Sequence, residues 1–140
     1  MKTAGIIPAR YQSTRLPGKP LLKRTGKYLI QHVWERACRA ASLDTVIIAT
    51  DDERILRAAG EFGADARMTA ASHSTGTDRA AEVAAGLDCA LVVNIQGDEA
   101  EIEPGAIDAV VAALHDAPDA EMSTLAHRTR DAARAADPNV

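Results

Sequence analysis

Short β-branched, apolar runs alternate along the chain with longer stretches whose apolar residues recur at helical spacing, and this alternation restricts the fold more than any other feature. The short runs are "TAGIIPA" (3–9), "TVIIAT" (45–50), "ALVVNI" (90–95) and "MSTLAH" (122–127). Runs of this length without a polar face read as strands covered on both sides. Between the first two, Leu29, Ile30, Val33, Trp34, Ala37 and Ala41 fall on one stripe of a helix over 29–41, and Ile55, Leu56, Ala59 and Phe62 repeat the pattern further on. Asp51 or Asp52 is placed to cap that second helix from about Glu53, and Gly63 to end it. A helix follows Asp78 with Val83 and Leu87 inward, and Pro104 suits the first turn of another carrying Ile107, Val110, Val111 and Leu114. Strand and helix in this rhythm imply right-handed crossovers and a mainly parallel sheet with helices on both faces. The expectation is one α/β domain over residues 1–140, with no internal repeat or linker.

In such a sheet, ligands bind beyond the carboxyl ends of the strands. The loops "RYQSTRLPGKP", "TDD" and "QGDE" follow three of the predicted strands, so they share one rim. Charge is distributed unevenly with respect to that rim. Residues 1–34 hold seven cations (Lys2, Arg10, Arg15, Lys19, Lys23, Arg24, Lys27) and no acid, although the whole chain carries a net charge of −4. A local anion site accounts for this asymmetry, and so does a solvated basic face. The acidic balance and only four aromatic residues argue against a nucleic-acid partner. Cys38 and Cys89 lie in no disulfide or zinc pattern and read as buried small apolar residues. No stretch suits a signal peptide or a membrane span, which gives the expectation of a cytoplasmic protein.

The first loop is neither a Walker A motif nor GxGxxG, because Ser13 precedes Gly18-Lys19 and Pro20 follows them. Arg10, Arg15 and Lys19 can nevertheless converge on a polyphosphate, with backbone N–H groups between Ser13 and Gly18 filling in. An exposed turn with incidental charge is the other reading of the same residues. Asp98 follows a strand and a glycine, so its carboxylate belongs at the rim, where one carboxylate plus phosphate oxygens makes a usual Mg²⁺ arrangement. Asp51, Asp52 and Glu99 are weaker candidates, explained by helix capping and by solvent exposure. The stretch "HSTGTDR" (73–79) has two readings: capping of the next helix by Thr77 or Asp78, or a tight backbone surface against a planar base with Arg79 as its anchor. No HExxH or GxSxG is present and no nucleophile has a readable base, so a hydrolase triad is not expected.

"IIPARYQSTRLPGKPL", "IATDDERI", "HSTGTDRAAEV", "VVNIQGDE" and the closing "DPNV" together resemble the 3-deoxy-manno-octulosonate cytidylyltransferase (CMP-Kdo synthetase) family, in order and over all 140 residues. The resemblance implies a Rossmann-like, nucleotidyltransferase-type fold. It implies a reaction in which the 2-hydroxyl of 3-deoxy-D-manno-octulosonate (Kdo) attacks the α-phosphorus of CTP, giving CMP-Kdo for lipopolysaccharide synthesis and pyrophosphate. By motif, Arg10, Ser13, Arg15 and Lys19 look like triphosphate contacts and Ala9 like a nucleotide-binding residue, with Arg10, Arg15, Lys19 and Asp98 carrying the catalysis. Thr75, Gly76 and Arg79 look like the cytosine site, Gln96 lies near the substrates, and Asp98 resembles a Mg²⁺ ligand. The chain differs from the family at Thr75, where serine is usual, and at 98–101, which reads "DEAE" for "DEPL". Family members are longer, so the resemblance implies an amino-terminal nucleotide-binding part, incomplete at its carboxyl end, of an enzyme that forms a homodimer. Another sugar or sugar-acid nucleotidyltransferase, or a non-catalytic nucleotide-binding module, are the alternatives.

Overall fold

Strand β1 (Thr3–Ala9) lies at the centre of the sheet because both of its faces are apolar. Ile7 faces one helical layer and Ile6 the other, each fully buried. Burial of an isoleucine side chain contributes about 1.5–3 kcal/mol, which makes this strand a major part of the core. In the computed structural model, which describes residues 2–12, 15–126, 128 and 131–137, β1 pairs in parallel with β2 (Thr45–Thr50) on one side and β4 (Leu91–Asn94) on the other. Strand β3 (Asp65–Met68) adds beyond β2, so the order is β3-β2-β1-β4 and all pairs are parallel.

Helices α1 (Leu29–Ala37), α2 (Glu53–Glu61) and α4 (Pro104–His115) cover one face. Their Ile30, Val33, Ile55, Ala59 and Ile107 pack on Ile7, Val46, Ile48 and Ile95. Helix α3 (Gly76–Ala85) covers the other face, where Ala80 and Val83 meet Ile6, Ile47 and Ala49. A short α5 (Ala132–Ala135) follows. Among the described residues no helix is long and apolar enough to cross a membrane.

Several expectations need correction. The strand expected at 122–127 does not form: 122–126 carry no regular structure, Met122 and Leu125 are 82% and 56% exposed, and His127 lies outside the described residues. Its apolar residues signalled burial, but they meet no partner strand. Strand β3 escaped the sequence reading because its "DARM" is half polar, as suits the edge position it occupies. Helix α1 stops at Ala37 rather than Ala41, where bonds from Arg39 N to Arg36 O and from Ala40 N to Ala37 O tighten the chain into turns. Cys38 ends that helix exposed and Cys89 is half-buried, so neither is the core residue expected.

The sheet order sets the position of the site. From β1 the chain builds outward through β2 to β3, then returns to place β4 on the opposite side of β1. Such a reversal opens a crevice at the carboxyl ends of the two strands flanking it, where a following loop can turn away on each side. Here those strands are β1 and β4. On the other side the strand ends are level, because Ala9 pairs with Thr50 and Thr50 with Met68. Arg10, Asp51 and Thr69 therefore start three loops along one line.

Candidate functional site

The loop after β1 closes on itself before it reaches its neighbours. Gly18 N donates to Tyr11 O at 2.7 Å, and Gly18 has φ +72°, a conformation costly for residues with a Cβ. A Cβ there would also lie 3.1 Å from the Tyr11 ring. The Arg54 guanidinium stacks over the opposite end of this closure, 3.2 Å from the Tyr11 ring centroid. Pro20 then opens a single 3₁₀ turn over Lys19–Leu21, which aims Lys19 back across the strand ends.

Lys19 Nζ meets Asp98 Oδ2 at 2.8 Å, and both groups keep contact with solvent. The loop after β4 can reach this point because Gly97 passes over the end of β1. A Cβ on Gly97 would sit 2.7 Å from Pro8 O, closer than such contacts occur. Asp98, Glu99, Ala100, Glu101 and Ile102 line an open cavity of about 570 Å³ beside the pair. Arg36 of α1 fixes the far side of that loop through Nε to Ile102 O at 3.0 Å and Nη2 to Glu103 Oε1 at 2.7 Å. Cation and carboxylate thus stand together at the mouth of the β1–β4 crevice.

A second stretch borders the same rim. Arg10 Nη2 donates to His73 O at 2.9 Å, joining the loop after β1 to the one after β3. Thr75, and neither Thr77 nor Asp78, caps α3: its Oγ1 accepts from Asp78 N at 3.0 Å and donates to Asp78 Oδ2 at 2.6 Å. That bond from Thr75 holds the Asp78 carboxyl below its usual range. Gly76 begins the helix against the Pro8 ring. Arg79 is fully buried, with Nη2 on Asp51 Oδ2 at 3.0 Å and Nη1 on Thr69 Oγ1. The adjacent Asp52 caps α2 by accepting from Arg54 N at 2.9 Å, which leaves Asp51 for Arg79.

The structure thus brings Arg10, Lys19, Thr75, Gly76 and Asp98 to one rim, with Ala9 buried beneath it and Gln96 and Arg15 exposed. Ser13 lies outside the described residues. Arg79 sits inside the wall and presents no free face to a ligand. Sequence reasoning passed over Tyr11, Gly97, His73 and Glu82. Of these, only Gly97 carried a usable signal, since a glycine straight after a strand can mark a close backbone approach.

A parallel sheet with a reversal beside its first strand, a glycine-closed cationic loop and a carboxylate opposite it define a nucleotidyltransferase-type domain. Residues 4–140 match the family model described as cytidylyltransferase, and the chain belongs to that family. It is 53% identical over 139 residues to the 3-deoxy-manno-octulosonate cytidylyltransferase of Solibacter usitatus, covering 99% of this chain and 55% of that protein. Among solved structures it is similar to a CMP:2-keto-3-deoxy-manno-octonic acid synthetase complexed with CTP, with TM-score 0.82 and 45% identity over 84% of this chain and 49% of that one. A cytidylyltransferase from Leptospira borgpetersenii shares the fold at TM-score 0.74 and 24% identity, over 84% of this chain and 50% of that one. The chain spans about half the length of these proteins.

Proposed function

We propose that this chain binds CTP with a divalent cation in the β1–β4 crevice and forms the nucleotide-binding part of an enzyme that transfers CMP to Kdo. The observation that carries the reading is the Lys19–Asp98 pair, which joins the acid-free first segment to the end of β4 at the sheet's reversal. The CTP-complexed relative, 45% identical, supports the choice of nucleotide. In this reading Arg10, Ser13, Arg15 and Lys19 hold the triphosphate, with Ala9 beneath it, and Thr75 and Gly76 border the cytosine near Gln96.

The residues suit Mg²⁺ on chemical grounds. Asp98 offers hard carboxylate oxygens at an open position, and among the described residues no three His, Cys, Asp or Glu side chains converge into a cage. That is the donor set of a cation that arrives with phosphate oxygens as its other ligands. Bound there, Mg²⁺ would neutralise phosphate charge. The chain's own residues do the rest: Arg10, Arg15 and Lys19 orient the triphosphate and stabilise negative charge as it moves onto the leaving pyrophosphate. The Kdo 2-hydroxyl forms the new bond to the α-phosphorus and releases its proton to solvent, while the bond from that phosphorus to the pyrophosphate oxygen breaks. No protein nucleophile is needed.

Two-substrate transfer also depends on holding both reactants in line, and the relatives are about twice as long as this chain. Binding is therefore assigned to this chain, and turnover, homodimer formation and a cytoplasmic place in lipopolysaccharide synthesis to the full-length enzyme. Titration calorimetry with Mg²⁺ tests the reading: CTP binds more tightly than ATP, and equal affinities overturn the cytosine site. A pyrophosphate-release assay with CTP, Kdo and Mg²⁺, beside light scattering, then measures how much transfer and self-association this chain supports.

A further inference from the structure

We propose that Asp51, Arg79 and Glu82 are positioning residues that fix the shape of segment 69–75, and through it the preference for cytosine over a purine. The inference rests on the reading of this stretch as the border of the base site.

Segment 69–75 has little regular structure of its own. Thr69 N bonds to Thr50 O at 2.9 Å, and beyond it 70–74 form one turn, at Ala71–Ser72, and no helix or strand. Side chains hold the segment instead. Arg79 grips its start, with Nη1 on Thr69 Oγ1 and 3.4 Å from Ala70 O, while Nη2 is fixed by Asp51 at 3.0 Å. Glu82, one turn along α3 from Arg79, accepts from Ala70 N at 3.0 Å and pairs with His73 Nε2. Arg10 holds the carbonyl of His73 from the opposite side. Ala71, Ser72 and Ser74 remain exposed between these ties.

The arrangement is a poor device for stability alone. Arg79 is 0% exposed, and among the described residues its Nε is buried without a partner. Buried ion pairs of this kind can often be replaced by apolar residues at no cost to folding. What such a pair does supply is direction: a planar guanidinium bonded at several points holds its partners at set distances. A surface that reads a base needs its donors and acceptors fixed within about 0.5 Å, and a segment with a single turn and no helix or strand meets that condition best when it is braced from outside.

Calorimetry on the whole chain with Mg²⁺ and CTP, ATP or inorganic tripolyphosphate tests the inference in the parent and in Glu82→Ala, Glu82→Gln and Asp51→Asn. Glu82 is exposed, so its variants keep the fold, and thermal melting verifies this. The expected result is a CTP-over-ATP preference about tenfold smaller in Glu82→Ala and Asp51→Asn, tripolyphosphate affinity within about twofold of the parent, and recovery of the preference in Glu82→Gln, which keeps an acceptor for Ala70 N. Parental preference in both Glu82→Ala and Asp51→Asn overturns the inference, as does an equal loss of affinity for all three ligands. A parent that binds CTP and ATP alike overturns the cytosine reading itself, and this inference with it.

Discussion

Lys19 and Asp98 lie 79 positions apart and meet at 2.8 Å over the gap between β1 and β4. Neither residue could be matched to the other from spacing alone. Both groups keep substantial exposure, 40% and 56%, so the pair adds only about 0–1 kcal/mol to stability. Asp98→Asn and Lys19→Ala are therefore expected to melt close to the parent. Asp98→Asn loses most of the Mg²⁺ dependence of CTP binding, and Lys19→Ala loses affinity in a salt-sensitive way. Calorimetry with and without Mg²⁺, at low and high salt, checks this; parental binding in both variants would move the phosphate site elsewhere.

Gly97→Ala should be the most damaging single-methyl change at the rim. The new Cβ would stand 2.7 Å from Pro8 O, and that oxygen belongs to a central strand that cannot retreat without disturbing its pairing with β2. Overpacking of this kind costs about 1–3 kcal/mol. Denaturant unfolding should show a lowered midpoint with an unchanged slope, and CTP affinity should fall with it because Asp98 is displaced.

Arg79→Ala should destabilise the fold by about 3 kcal/mol, because the Asp51 carboxylate, 23% exposed, is left without its cation. The double variant Asp51→Leu with Arg79→Met should recover much of that loss while keeping the CTP preference low. Chemical denaturation of the three proteins measures the first effect and calorimetry the second. A double variant as unstable as the single one would mean that the pair is needed for folding itself.

Acid should weaken the protein through its carboxylates with depressed pKa values, Asp52 and Glu82 among them. Asp52 is held below its usual range first by the Arg54 side chain, and Glu82 by its bond to His73 and then to Ala70 N. A carboxyl with a depressed pKa stabilises the fold fully above its unfolded value, about 4, and that contribution disappears as the pH falls through the lower folded value. Stability should therefore decline from about pH 5 downward, with a shallower decline in Asp52→Asn. Asp52→Ala should in addition lose about 1 kcal/mol at neutral pH as the α2 cap is removed. Urea midpoints across this range check both; identical acid limbs in parent and Asp52→Asn would exclude the carboxylate.

The sequence by itself determined the class of fold and which charged groups are available to the rim. β-Branched runs such as "TVIIAT" have few options other than a buried strand, and the stripe through Ile30 and Val33 has few other than a helix lying on it, because both signals come from neighbours within a few positions. The seven early cations and the motifs around Arg10, Lys19 and Asp98 were visible for the same local reason. Tertiary structure decided what depends on partners far along the chain. It left 122–126 without a strand to join, added β3 at an edge that tolerates polar residues, and buried Arg79 on Asp51, turning a candidate contact into a brace. It also brought Gly97 over Pro8 and Lys19 to Asp98. A sequence shows which groups are available, but only the order of strands in the sheet, with its reversal beside β1, determines which of them meet.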